Sequence, residues 1–508
     1  MNIIKTSVLV ICFSLFIRLL GFVRDILTAM KFGISEHIDL YFTALTFITV
    51  VPILMSQSIQ DSIVPIYNKI LKKYNIEYIN NHINQLVFVG LAFVFILSMA
   101  FYLFIDDILS LLMGNTNSIN YSLLLRLCKI GFPIAIFSII EAIFLGFLLA
   151  KKFYYITAIS SIPLNLVCIY YLIVYGNDQN ITMFMVVTLL SYVAKFVVTY
   201  FFAIKYGYKF RPKATVSDYL TENIKVIAPT MISSSVFLIN TYLDRFFATG
   251  MEGGSVAAIV YSGKVITLMH SIIIISIANV IFPKLSELKN DTVEQLNTFL
   301  ISSKLLTFIS LPLTFIVLLF SNEIISTLFE RGLFDSSAVR LTGEVLKWYA
   351  LGFLGYAIIE KFTRYAYANH KSWQAVIVGI VIISSNIILN VMLSKNMGPN
   401  GIALATSLSF FIGVLFYFTF LIKENEESKK LIFASLVTFL RVIIATVLSY
   451  LIVRNYIASN YSFAIDLSIF EKLISLSFVT AKSISVFIFL IILLEIRSLI
   501  KWIRRKTT

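Results

Sequence analysis

The chain has 508 residues, of which 59% are hydrophobic and 13% charged, about half the charge a soluble domain of this size uses to clothe its surface. That balance excludes a soluble enzyme and implies an integral membrane protein. The 41 basic against 27 acidic residues give a net charge of +14, which in a membrane protein reads first as basic cytoplasmic loops rather than as a nucleic-acid footprint.

Apolar runs of about 20 residues, each long enough to cross a 30 Å hydrocarbon core as a helix, predict about 14 spans. They lie near 6–30, 38–64, 85–105, 121–150, 153–175, 180–204, 223–248, 255–283, 300–320, 341–367, 373–394, 400–422, 430–453 and 473–498. The first run contains Arg18, Arg24 and Asp25 and lacks a small-residue cleavage site, so it reads as a span and not as a secretion signal. An even number of spans puts both termini on one side. Lys69, Lys72, Lys73, Lys151, Lys152, Lys205, Lys209, Arg211, Lys213, Lys429, Lys430, Arg504 and Arg505 fall in that side's connections and tail, whereas the opposite connections hold few basic residues. Both termini are therefore predicted to be cytoplasmic. Cys12, Cys128 and Cys168 sit in apolar runs without metal or disulfide spacing.

An internal repeat recurs at an offset of about 219 residues. It aligns Asp25 with Asp244, Glu141 with Glu360 and Lys152 with Lys371. Six spans separate the copies, so they share one orientation. The expected fold is an all-α polytopic membrane protein with two six-helix lobes in parallel pseudo-two-fold repeat, 1–215 and 216–426, followed by two C-terminal helices and a basic tail in 427–508.

Charges inside spans carry the functional information, because each needs a partner or a wet cavity. Span 1 holds Arg18, Arg24 and Asp25, with Asp25 placed to hold Arg24, and span 8 holds Lys264 above His270. A cavity with surplus positive potential suits a large anion such as a diphosphate, for which arginine is the preferred fork. Lys129, Lys195, Lys361, Arg364 and Lys482 read instead as side chains snorkelling to an interface, and His270 as a core histidine. The polar run Ser56, Gln57, Ser58, Gln60, Asp61 and Ser62 in span 2 either lines the cavity or lies at the cytoplasmic interface. Pro52, Pro133, Pro163, Pro229 and Pro312 fall within spans and permit bending. Asp244, Asn386, Asn390 and Thr406 offer oxygen ligands from three spans, either for a small hard cation such as Na⁺ or for interhelical hydrogen bonds. No G-x-S-x-G, H-E-x-x-H or P-loop pattern occurs.

With these residues in place, the chain resembles the lipid II flippases of the MurJ (MviN) family, in the multidrug/oligosaccharidyl-lipid/polysaccharide exporter superfamily. The resemblance rests on Arg18-Leu19-Leu20-Gly21-Phe22-Val23-Arg24-Asp25, on Phe32-Gly33 and Asp39, and on Asp244, Gly254-Ser255, Tyr261 and Pro283. Phe329-Glu330-Arg331-Gly332 and Gly401-Ile402-Ala403-Leu404-Ala405-Thr406-Ser407 complete it. It implies a cationic cavity between lobes, a groove by spans 13 and 14 for a polyprenyl tail, and functional roles for Arg18, Arg24, Asp25 and Asp39. It also implies that Lys264 stands at a cavity arginine and that Asp244, Asn386, Asn390 and Thr406 fall on a Na⁺ site. The chain departs from the family in span 2, where Val51-Pro52-Ile53-Leu54-Met55-Ser56-Gln57 lacks the arginines of a Pro-Asn-x-x-Arg-Arg motif. Lys264 gives up bidentate phosphate recognition, and Asn390 replaces a carboxylate found in some members.

The expected function is translocation of a polyprenyl-diphosphate saccharide, foremost lipid II, from the inner to the outer leaflet of the bacterial cytoplasmic membrane by alternating access. The partners expected are that lipid and the bilayer, with no nucleic acid and with the protein acting as a monomer; Na⁺ is the candidate coupling ion. Rivals are a flippase for another lipid-linked oligosaccharide, a multidrug/cation antiporter and a membrane polysaccharide polymerase.

Overall fold

A computed structural model describes residues 3–113, 119–175, 180–210, 217–225, 227, 236–288, 292–369, 371–422, 444, 446–455, 471–472 and 474–490. Predicted spans 7, 13 and 14 are therefore described only in part. Pro229, Arg441, Arg211, Lys213, Lys429, Lys430, Arg504, Arg505 and the side chains of Cys12 and Pro283 lie outside the described residues.

All regular structure among the described residues is helical, as lipid demands of a chain that must satisfy its backbone polar groups within each segment. In chain order the helices are α1 (Ile3–Phe32), α2 (Glu36–Leu71), α3 (Ile76–Met113), α4 (Ile119–Gly131), α5 (Pro133–Ala150), α6 (Tyr154–Ile159), α7 (Ile162–Val174) and α8 (Ile181–Lys205). There follow α9 (Val236–Ala248), α10 (Ser255–Glu287), α11 (Thr292–Phe329), α12 (Ser336–Leu351), α13 (Phe353–Ala368), α14 (Ser372–Met397) and α15 (Pro399–Ile422). A shorter apolar helix, α16, covers Ile474–Leu490. Among the described residues, eight helical stretches are long and apolar enough to cross a membrane.

Several predicted spans run longer or are broken. Span 3 extends to Ile76–Met113 and span 9 to Thr292–Phe329, with a kink at Phe320. Pro133 and Pro163 do more than bend their spans: each sits in the first turn of a new helix, where its missing N–H costs nothing. The span 4 break at Phe132 and the span 10 break at Gly352 fall at nearly the repeat offset. The turn after each pair closes alike, with Phe153 N–H on the Leu148 carbonyl and Lys371 N–H on that of Ala366.

The chain divides into two compact units. The first is Met1–Val260 with Arg331–Asp335, the second Tyr261–Glu330 with Ser336–Thr508. In the first, α2 packs on α4, α5 and α9, and α5 on α8 and α3. Ile63, Ile139, Phe144 and Phe147 lie at the centre of its apolar core. Gly146 lets α5 approach closely, since a Cβ there would come 2.9 Å from Ile63 Cδ1. One end is buckled by polar groups. Tyr208 donates to Asn84 Oδ1 at 2.5 Å, and His82 is held by Ser217 Oγ at 3.0 Å and Asn223 Nδ2 at 2.7 Å. In the second unit α14 packs on α15, and α11 on α12 and α13. Phe315 and Phe320 of α11 pack with Val453 and Val479, and Lys472 pairs with Glu330 at 3.1 Å.

Two connections of the first unit meet through backbone. Leu333 N–H donates to the Met30 carbonyl at 2.9 Å. Gly33 and Gly332 flank this bond, both at φ +60°, and a Cβ on Gly33 would lie 2.5 Å from the Leu333 carbonyl oxygen. Gly33→Ala adds left-handed strain to that clash, together about 1–3 kcal/mol. A lower thermal midpoint in detergent is expected; an unchanged midpoint would mean that these connections do not meet.

Candidate functional site

The side chains inside the bundle are organised as ion pairs. On α1, Arg24 Nη2 donates to Asp25 Oδ1 at 2.9 Å and Nε to the same oxygen at 3.3 Å. The pair keeps some exposure, 22% for Arg24 and 15% for Asp25. Asp25 thus holds the guanidinium as the sequence suggested. Arg18 is exposed. Six residues of helix leave two side chains about 120° apart around the axis, so Arg18 and Arg24 project from α1 in different directions.

A second pair joins α5 to α8. Lys195 Nζ lies 3.1 Å from Glu141 Oε2, with Glu141 nearly buried at 5% and Lys195 at 20%. Thr199, one turn on, donates to Glu141 Oε1 at 3.3 Å. Lys195 therefore does not snorkel; it crosses the bundle to a carboxylate. Removing one partner of such a buried pair costs about 3–5 kcal/mol, because the other charge is left uncompensated. Tyr192 of α8 lies within electrostatic reach of Arg24, Cys168, Tyr242 and Glu141. Tyr41 of α2 bonds Thr188 of α8 at 2.8 Å and also reaches Arg24.

Asp39 is almost buried. Its carboxylate accepts Gly254 N–H through Oδ2 and Ala257 N–H through Oδ1, both at 2.7 Å. These are orphan donors at the start of α10, so a side chain from α2 caps a helix distant in sequence. Two turns beyond Ala257 the same helix carries Lys264, which is partly buried. A polar seam joins α2 to α9 below this cap: Thr43 meets Thr249 at 3.2 Å, Arg245 donates to Thr46 at 3.5 Å, and Thr49 meets Tyr242 at 3.3 Å. Asp244 on α9 is 1% exposed. In the polar run of α2, Ser58 and Ser62 are buried, while the exposed Gln57 donates to Asp61 at 2.9 Å.

In the second unit, Asn386 and Asn390 of α14 and Thr406 of α15 come together. Asn386 Nδ2 donates to Thr406 Oγ1 at 2.8 Å, and Asn390 Nδ2 to Asn386 Oδ1 at 3.0 Å. Asn390 Oδ1 is buried without a hydrogen-bond partner among the described residues, an oxygen donor of the kind a hard cation takes. Asp244 belongs to the first unit. His270 is buried against the rings of Phe353 and Tyr356, as a core histidine would be. Glu360 accepts from Arg364 at 2.9 Å. Lys361 departs from the snorkelling expectation: it is 2% exposed, and its ammonium donates to the Phe299 carbonyl and to Ser303 Oγ, over the Phe299 ring. Lys129 is exposed, and Lys482 lies over the Phe478 ring.

The sequence pattern did not single out Lys195 with Glu141 as partners, Tyr192, Arg245 or the capping role of Asp39. Spacing along the chain carries no signal for contacts between helices.

The all-helical bundle shares its fold with solved membrane transporters. The chain superposes on the inward-facing conformation of a multidrug resistance MATE family transporter of the multidrug/oligosaccharidyl-lipid/polysaccharide superfamily with a TM-score of 0.65 at 14% identity, covering 80% of this chain and 93% of that one. It also superposes on a lipid II flippase MurJ in an inward closed conformation with a TM-score of 0.79 at 23% identity, covering 97% and 100%. The family model described as Lipid II flippase MurJ matches residues 28–470. A probable lipid II flippase MurJ of Thermotoga maritima is 26% identical over 422 residues, 82% of this chain and 85% of its own. The chain belongs to the MurJ family of lipid II flippases, which are transporters and not enzymes.

Asp39→Ala removes the cap from α10 and is expected to cost about 0.5–2 kcal/mol. The thermal midpoint should fall, and Asp39→Asn, which keeps one acceptor oxygen, should fall less. Equal midpoints for both variants and the parent would show that the carboxylate does not hold the helix.

Proposed function

We propose that this chain flips lipid II, carrying its diphosphate-saccharide headgroup from the inner to the outer leaflet of the cytoplasmic membrane by alternating access. The observation that supports this most directly is a family-wide match over a bundle whose interior keeps partly accessible cations beside carboxylates. In this reading the diphosphate meets Arg18, Arg24 and Lys264. Asp25 orients Arg24, and Asp39 keeps α10, and with it Lys264, in register. The polyprenyl tail stays in lipid or in a groove by the last two helices. Fourteen spans, lobes at 1–215 and 216–426 with an appendage at 427–508, cytoplasmic termini and a monomeric state complete the proposal.

Na⁺ is the proposed coupling ion. The buried, unpartnered Asn390 Oδ1 and the hydroxyl and amide oxygens around it fit its chemistry; Asn386, Asn390 and Thr406 would supply neutral oxygens and Asp244 the charge. A bound cation would supply positive charge that biases one conformation over another. Na⁺, and not K⁺, should then raise the thermal midpoint of the purified chain. Asn390→Asp should strengthen that shift and Asn390→Ala abolish it; identical shifts for both salts would remove Na⁺ from the proposal.

The test of the function is rescue. Expressed in cells depleted of their own lipid II flippase, the chain should restore growth and clear accumulated lipid-linked precursor, and Arg24→Ala at equal membrane level should not. A second reading, transport of another polyprenyl-diphosphate saccharide, is favoured by the uncharged stretch Val51–Gln57 of α2. It predicts no rescue, with loss of a different surface polymer when the native gene is deleted.

A further inference from the structure

The Lys195–Glu141 pair has a geometry that structural pairing does not require. On α8 the lipid-exposed positions Met183, Leu190, Val197, Phe201 and Ile204 form one stripe. Lys195 lies on the opposite side at 100° per residue, with the buried Thr188, Ser191 and Thr199. The Lys195 side chain is the more accessible member of the pair, 20% against 5% for Glu141. One turn before Lys195, Tyr192 lies within electrostatic reach of Glu141. The Lys195–Glu141 pair is net neutral, and an incoming phosphate offers the ammonium a second anionic partner.

We propose that Lys195 is a substrate-binding residue: its ammonium turns from Glu141 to take a phosphate of a polyprenyl diphosphate. Glu141 is the resting counter-ion that keeps the ammonium charged and aimed while no lipid is bound. A lysine suits this exchange because its head is a flexible point charge with three donors and no fixed fork. The inference rests on the flippase reading above and adds to it a further cation for the diphosphate.

The test uses the full chain in lipid nanodiscs, titrated with polyprenyl diphosphate and, as a probe without phosphate, with the free polyprenol. Parent protein should prefer the diphosphate. Lys195→Gln should weaken diphosphate binding roughly tenfold, the scale of one lost charge-assisted contact, without changing polyprenol binding. Glu141→Gln should bind diphosphate at least as tightly as the parent, since it frees the ammonium. A purely structural pair predicts otherwise: both single variants would weaken binding, and the exchange Glu141→Lys with Lys195→Glu would restore it. If Lys195→Gln folds poorly, the double variant Lys195→Gln/Glu141→Gln leaves no buried charge uncompensated and should show the same tenfold loss. Parent-like binding by the neutral double variant, or restoration by the exchange, overturns the role of Lys195 alone. A parent that does not distinguish diphosphate from polyprenol overturns the flippase reading itself.

Discussion

An uncompensated charge in the bilayer interior costs at least about 2.5–3.5 kcal/mol on insertion scales, and the arrangement of this bundle follows from that cost. Asp25 holds Arg24, Glu141 holds Lys195 and Glu360 holds Arg364. Lys361 finds another solution in a carbonyl, a hydroxyl and an aromatic face. The surplus of positive charge visible in composition is therefore smaller at the places where it matters. Lys195, Lys361 and Arg364, which along the sequence read as snorkelling to an interface, are held by partners within the structure.

How much of this the sequence disclosed depends on the range of the interaction. Helical spans were legible because lipid imposes a length and an apolar composition on each, and the expected repeat was drawn from rare intramembrane carboxylates. The recurrence of a helix break at Phe132 and Gly352 extends that repeat to a feature with no shared residue type. Glu360 and Arg364, four residues apart on one helix, could be paired from spacing alone. Glu141 and Lys195 could not, because their meeting depends on how α5 packs against α8. Asp39 shows the same limit: its position was visible through family resemblance, but its engagement with the amides of Gly254 and Ala257 depends on tertiary structure.

The joints of the first unit are made of bonds that can be remade. Thr43, Thr46 and Thr49 face Thr249, Arg245 and Tyr242 through hydroxyl contacts of 3.2–3.5 Å, and the connections meet through one backbone bond between two glycines at positive φ. Hydroxyls of this kind also bond their own helix, as Thr46 and Thr49 do to Phe42 and Leu45, so parting the seam leaves few groups unsatisfied. An apolar interface of similar extent would be harder to separate in steps. For a protein proposed to alternate between two accesses, a seam with low cost of opening is the more suitable material.

The same reasoning bears on the headgroup. A guanidinium fixes the direction of a phosphate through a planar fork, whereas an ammonium fixes only its distance. This chain lacks arginines in the Val51–Gln57 stretch of α2, carries lysine at position 264 and places another lysine, Lys195, on the inner face of α8. On the proposed reading, phosphate recognition then supplies attraction with little orientation, apart from Arg18 and from Arg24 held by Asp25. Orientation of the lipid must come from other contacts, either the saccharide with polar side chains such as Tyr192, Tyr41 and Thr188 or the tail with the apolar faces of the helices. A site built this way discriminates among headgroups through their sugars more than through their diphosphate, which all polyprenyl-diphosphate saccharides share.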